Sequence, residues 1–443
     1  MPVSTPTATG SHGAQAAAAR ERLVLAVARA AATVALIGAL FAPAVANLAS
    51  LLLLLSFAAL PSARARLRAL LALPLARATL LLLAVLAAAT LWSEAPLKER
   101  VGAWWDWRPL LLLLCCLAVF DEAAARRRAL IAFVCAASLA ALYSFWAWTS
   151  GVSPAGMDHG LPGIVARNST TQGLGFAAAC FLALMLALEE KELGRRARGA
   201  LVAASLLLLA NLVFVTSSRS GHLALLIMLA TAAVQFLAGW RRAAAVAALP
   251  LLAAAAFAAS PMLQTRFGMA AAELRAPLAS DQITGMGIRT VMWHVSWQMA
   301  RERPFLGYGM GGFPAAYERA IGKSSFSGWA ATPTVDPHNQ YLQVHLQAGL
   351  AGSAAFLWFL VCVFRCRGQR PHGAWAPALA LAWCASALAT SVFTTFAESH
   401  MLMLLLGILL AGAGGSAAAP LRALPPAGSA QDAVGAADRG GSS

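Results

Sequence analysis

Residues 336–370 read DPHNQYLQVHLQAGLAGSAAFLWFLVCVFRCRGQR. A polar, ionisable cluster gives way to a long apolar run, and the run ends in three arginines, Arg365, Arg367 and Arg370. A hydrocarbon core about 30 Å thick needs roughly 20 mostly apolar residues in a helix to cross it. Basic flanks collect on the cytoplasmic side of such helices. The stretch therefore reads as a membrane-spanning helix over 340–364, with its basic end inside and its His338–Asn339 end outside.

The same alternation recurs along the chain. Of 443 residues, 60% are hydrophobic and 12% charged, and the mean hydropathy is +0.70. Soluble domains carry about 25% charged residues, so this composition excludes an ordinary soluble enzyme. In lipid every backbone N–H and C=O must be paired internally, and apolar runs of span length then mean helices. The expected fold is an all-α polytopic membrane protein of about twelve transmembrane helices. Spans are expected near 23–43, 45–60, 74–92, 109–120, 129–149, 172–188, 200–216, 221–239, 243–260, 340–364, 374–395 and 399–415.

The net charge of +15 would point to nucleic acid in a soluble chain. Here the basic residues sit in alternate loops: ARARLR at 63–68, RRR at 126–128, KELGRRAR at 191–198, WRR at 240–242 and RCRGQR at 365–370. That pattern is the positive-inside bias and calls for no nucleic-acid partner. It puts both termini in the cytoplasm. The expected organisation is an unstructured N-terminus (1–19), nine spans (20–260), one large extracytoplasmic loop (261–339), three spans (340–415) and a cytoplasmic tail (416–443). The seven cysteines lie in or beside apolar runs without metal-ligand spacing, and read as packed thiols.

A loop of about 80 residues in so economical a chain is expected to carry function. Within it, GIRTVMWHVSWQMARERP (287–304) has Ile288, Met292, Val295 and Met299 on one helical face, and Arg289, Trp293 and Trp297 on another. The next stretch, with Gly307, Gly309, Gly311 and Gly312, follows no strand, so a nucleotide loop is disfavoured; it reads as irregular backbone and a plausible hinge. Arginines on the same side include Arg167 in ARNSTTQG, Arg219 in TSSRSG and Arg289. An arginine at the membrane is costly unless it snorkels or pairs, and its fork suits phosphate. Carboxylates are scattered, Glu398 among them as an isolated, solvated group, and no paired-acid or metal constellation appears. No metal or cofactor is expected.

At the head of the quoted stretch, Asp336 suits an N-cap and Pro337 a first helical position, with His338 and Asn339 in the first turn. Helix N-termini favour anions and disfavour an imidazolium, so a neutral His338 there would accept a proton from a hydroxyl. Local chemistry alone does not separate a base from an ordinary cap. His345 reads as a packed or hydrogen-bonded helix residue.

Together PHNQYLQVHLQAGLAG, TSSRSG, the loop helix with PFLGYGMGGF, and ARNSTTQG resemble the O-antigen ligase and polymerase superfamily over residues 100 to 410. The resemblance implies a glycosyltransferase-C-like membrane enzyme of the bacterial inner membrane, with its site facing the periplasm. It would move O-antigen from an undecaprenyl-pyrophosphate-linked donor to a sugar hydroxyl of a lipid A-core acceptor, by metal-independent inverting transfer. Carried over, His338 is the base, and Arg219 and Arg289, with Arg167 as a weaker match, bind the donor pyrophosphate. Asn339 and Asp336 are orienting residues. An O-antigen polymerase or protein O-oligosaccharyltransferase shares the motif. A lipid-linked glycan transporter would call for internal repeats that the chain does not clearly carry.

Overall fold

A computed structural model describes residues 9–153, 161–275 and 285–413, and within these the chain is helical. The expectations for residues 1–8 and for the tail 416–443 lie outside the described residues. In order the helices are α1 (Thr9–Phe41), α2 (Pro43–Ala58), α3 (Ala63–Ala72), α4 (Pro74–Ala88), α5 (Leu97–Trp105), α6 (Pro109–Val119), α7 (Ala123–Thr149), α8 (Ser169–Glu189) and α9 (Arg195–Phe214). They continue as α10 (Arg219–Phe236), α11 (Gly239–Ala259), α12 (Pro261–Arg275), α13 (Gly285–Glu302), α14 (Phe313–Ile321), α15 (Gln340–Arg365), α16 (Ala376–Ser386) and α17 (Phe396–Leu410). The N-terminal stretch expected to lack structure is already helical from Thr9. The large loop contains α12, α13 and α14.

Among the described residues, eight helices are long and apolar enough to cross a membrane, or nine if α2 and α3, bent by 100°, form one broken span. The chain is thus polytopic, with fewer full-length helices than the apolar runs imply. The reason is length. α4 and α17 have 15 residues and α16 has 11, and 15 residues rise only about 22 Å, short of a 30 Å core. A helix that ends inside protein needs side chains to take its last carbonyls. At the end of α6, Arg66 donates to Ala118 O (2.7 Å), Arg29 to Val119 O (2.7 Å) and Arg126 to Phe120 O (2.8 Å). Three arginines from separate segments therefore cap the end of α6.

α17 is buried from Ala397 to Leu410 and forms the axis of the bundle. α11, also long and largely apolar, has no buried residue and stands at the rim, packed against α10 and α12. Cys135 is exposed on α7, unlike the buried Cys115, Cys116, Cys180 and Cys362.

Candidate functional site

The helix at the head of the quoted stretch starts three residues later than its sequence signals imply. Asn339 is the N-cap of α15, in extended backbone (φ −154°), and its side-chain oxygen accepts from the N–H groups of Tyr341 (3.0 Å) and Leu342 (3.1 Å). Its amide donates to Leu388 O (3.0 Å). Asn339 thus fixes the helix start and ties it to the α16–α17 loop. Asp336 is not the cap. Its Oδ1 accepts from the His338 N–H (2.5 Å) and lies 3.4 Å from His338 Nδ1. This turn holds His338 in the left-handed region (φ 47°), a conformation uncommon in non-glycine residues and concentrated at functional sites. The imidazole is 40% exposed, so a solute can reach it.

The loop from Ala387 to Thr395 is the hub of the site. It receives the Gln340 N–H on Ala387 O (2.9 Å), and donates Phe393 N–H to Gln340 Oε1 (2.9 Å), Thr394 Oγ1 to Gln343 Oε1 (3.0 Å) and Ser391 Oγ to Asp336 Oδ1 (3.2 Å). Arg289, on α13, donates its Nε to Ala389 O (3.2 Å), and Trp293 one turn on directs its Nε1 at His338 O (3.4 Å). Arg289, Trp293, Asp336 and His338 are therefore assembled from separate segments around one loop. The apolar run 374–395 reads in sequence as a single span, which conceals this loop. Its available signal is four hydroxyls in six residues, Thr390, Ser391, Thr394 and Thr395, inside an apolar run.

Arg167 and Arg219 stand at two more helix starts. Asn168 caps α8 by accepting from Thr171 N (2.7 Å), and Ser218 caps α10 by accepting from Gly221 N (3.1 Å). The two helices meet where the backbones of Gly173 and Gly221 touch; a Cβ on Gly221 would fall 2.6 Å from Gly173 Cα. Gln172, fully buried, holds the segment before Arg167 by accepting from Val165 N (2.8 Å) and donating to Gly163 O (3.1 Å) and Thr216 Oγ1 (3.1 Å). Glu398 is not a solvated group. It is 2% exposed and accepts from Thr171 Oγ1 (2.6 Å). α8 is thereby linked to α10 and α17, and the loop preceding α17 to α15. Four helix N-termini and the arginines at three of the junctions make this end of the bundle a place where anions are stabilised. Among the described residues, no group of three His, Cys, Asp or Glu is placed to hold a metal ion.

The glycine stretch packs as a clamp against α15. α15 breaks at Ala348 and Gly349 (φ 59°, ψ −149°), and the opened turn is closed by the segment 304–308: Tyr308 N donates to Leu346 O (2.7 Å) and Leu350 N to Pro304 O (3.0 Å). Gly307 (φ 65°) lies so close that a Cβ would meet Leu346 O at 2.5 Å. On the other side Met310 N donates to Ala89 O (3.1 Å), Trp92 Nε1 to Leu306 O (2.9 Å), and Arg303 and Arg319 reach Glu94 (3.2 Å each). The arginines hold the exposed Glu94 carboxyl below its ordinary range through hydrogen bonds, first from Arg319 and then from Arg303. The large loop is thus stapled to the end of α4, the segment before α5 and the middle of α15, and α13 is carried over His338. His345 donates to or accepts from Ser353 Oγ (3.0 Å) across the break, as a hydrogen-bonded helix residue.

Residues 203–357, which include Arg219, Arg289, the glycine stretch and His338, match a family model described as O-antigen ligase. No curated protein matches the chain.

Proposed function

From membership of the O-antigen ligase/polymerase superfamily, which that match supports, we propose that the chain is a ligase-type glycosyltransferase. Its donor is a glycan on undecaprenyl pyrophosphate and its acceptor a sugar hydroxyl of lipid A-core, with the site on the periplasmic face of the inner membrane. The observation that carries this reading is the pairing of a reachable imidazole with an anion-favouring surface: His338 set beside Asp336, under the loop that binds Arg289.

The chemistry follows from those positions. A carboxylate beside Nδ1 favours the tautomer protonated there, which leaves the Nε2 lone pair free. Nε2 takes the acceptor hydroxyl proton as that oxygen attacks the anomeric carbon of the first donor sugar. The bond from this carbon to the pyrophosphate oxygen breaks on the opposite face, so configuration inverts. The departing lipid pyrophosphate carries the negative charge that Arg219 and Arg289 neutralise, with Arg167 at the adjoining helix start. Asn339 orients the histidine by fixing the start of α15, and Ser391 steadies Asp336.

The test is transfer by the purified protein in nanodiscs with lipid-linked donor and lipid A-core acceptor. Replacing a general base costs roughly 10²–10⁴-fold in rate, so full activity in His338→Ala overturns the assignment. Gene deletion separates the two activities of the family. Rough core with accumulated lipid-linked polymer is the ligase outcome, whereas core capped with single repeat units means a polymerase.

A further inference from the structure

The outward face of α13 carries a row of side chains that the transfer step does not use. Arg289 and Trp293 reach the loop and His338, and four residues further on Trp297 is 60% exposed. Arg301, four residues beyond, is also exposed. The opposite face is packed: Val291, Met292, Val295 and Met299 are each at most 5% exposed. The helix is therefore held rigidly by one side and presents the other. Beside Trp297 the exposed His294 and Gln298 form a hydrogen-bonded pair (Nε2 to Nε2, 3.0 Å), and His294 is braced edge-on by Phe326.

We propose that this row, Trp293 to Trp297 to Arg301 flanked by His294 and Gln298, is a glycan-binding subsite that holds the donor polysaccharide beyond its first sugar. The inference rests on the proposed transfer, because it takes Arg289 as the point where the donor pyrophosphate begins. A pyranose offers a face of C–H groups to the electron-rich face of an indole, and its hydroxyls to amides, imidazoles and guanidinium groups. Both kinds of partner stand side by side here. The spacing fits as well: positions four apart on a helix are displaced about 6 Å along the axis, close to one sugar per step. A glycan leaving the pyrophosphate at Arg289 meets Trp293 at His338 and Trp297 next.

The bilayer is the competing occupant of an exposed tryptophan, and the neighbouring residues argue against it. The chain has an apolar ledge where Phe305 (71% exposed), Leu306 (56%), Leu91 (80%) and Leu97 (71%) stand out around the glycine clamp. That composition suits acyl chains. The Trp297 face, with His294, Gln298 and Arg301 exposed around one indole, suits a hydrated sugar chain.

The test compares a short donor that carries a single sugar with a long donor of many repeat units, using the full-length protein in nanodiscs. Trp297→Ala is expected to raise KM about tenfold for the long donor, in line with the upper end of an aromatic contact, and to leave KM for the short donor and kcat for both within twofold. Trp297→Phe is expected to keep most of the affinity. Equal loss with both donors, or none with either, overturns the subsite. Saturation-transfer NMR with lipid-free polysaccharide reads the site without any turnover. A transfer signal that disappears in Trp297→Ala supports the subsite, and an unchanged signal overturns it. A wild-type protein that binds the polysaccharide through Trp297 and transfers nothing would overturn the reaction reading and leave this site standing.

Discussion

Substituting Gly349 tests the clamp that carries the large loop over His338. Its backbone (φ 59°, ψ −149°) lies in a region open almost only to glycine, and a Cβ there would sit 2.0 Å from Phe305 O, a backbone atom that no rotamer change can move. Holding alanine in that conformation costs about 1–3 kcal/mol. If the segments part to relieve the overlap, the hydrogen bonds from Tyr308 to Leu346 and from Leu350 to Pro304 break, at about 0.5–1.5 kcal/mol each. Gly349→Ala should therefore destabilise the assembly by roughly 2–6 kcal/mol. The assay is the half-life of the detergent-solubilised protein at fixed temperature, since proteins of this size commonly unfold irreversibly. Gly102→Ala in α5 is the control. Nothing lies within 4 Å of a Cβ at that position, and removing a helix-interior glycine should stabilise by about 0.5–1 kcal/mol. Transfer activity should fall with Gly349→Ala, because the clamp positions α13 over the histidine. If the two variants were equally long-lived, the clamp would not hold the loop, and the reasoning from close backbone approach would be wrong.

Three further outcomes are expected. Asp336→Asn keeps an acceptor for the His338 N–H but removes the charge beside Nδ1, and should lower kcat about tenfold, less than the roughly 10²–10⁴-fold cost of losing the base itself, with KM unchanged; steady-state kinetics decide this, and wild-type kcat would remove Asp336 from the mechanism. Asn339→Ala removes the cap of α15, which costs about 1 kcal/mol, together with the tether to Leu388 O; thermal inactivation should quicken, while Asn339→Asp keeps the cap and should lie between. The Glu94 tie depends on pH with a definite sign. Its folded pKa is depressed from 4.5, so its contribution is complete above that value and is lost as pH falls through the lowered one. Limited proteolysis of the 304–330 region should accelerate in that acid window, and Glu94→Gln should show the faster cleavage already at neutral pH.

Much of the candidate site was legible because its parts are charged or helix-starting residues in an apolar chain, where each one stands out. His338, Arg289, Arg219 and Arg167 can be picked from the sequence for that reason, and the loop helix, read over 287–304 and found at Gly285–Glu302, from its period. The roles of Asp336 and Asn339 are exchanged relative to expectation, since both are good caps; only the left-handed turn at His338 decides which one starts α15. Glu398 was expected in water and is buried, because exposure is not a sequence property. Its partner Thr171 lies 227 residues away.

The sequence by itself determined that this is a helical membrane chain, where its long apolar runs lie, and which ionisable residues crowd one end. Those follow from the energetics of burying backbone and charge in hydrocarbon, which act locally. Only the tertiary structure decided which apolar helix is core and which faces outward, as α17 and α11 show, because an all-round apolar helix suits either place. It alone decided that the 387–395 loop joins Arg289 to His338, that three arginines close α6, and that Gly349 opens α15 to receive the glycine stretch. Each of those depends on backbone groups left unpaired in one segment finding partners far away in another.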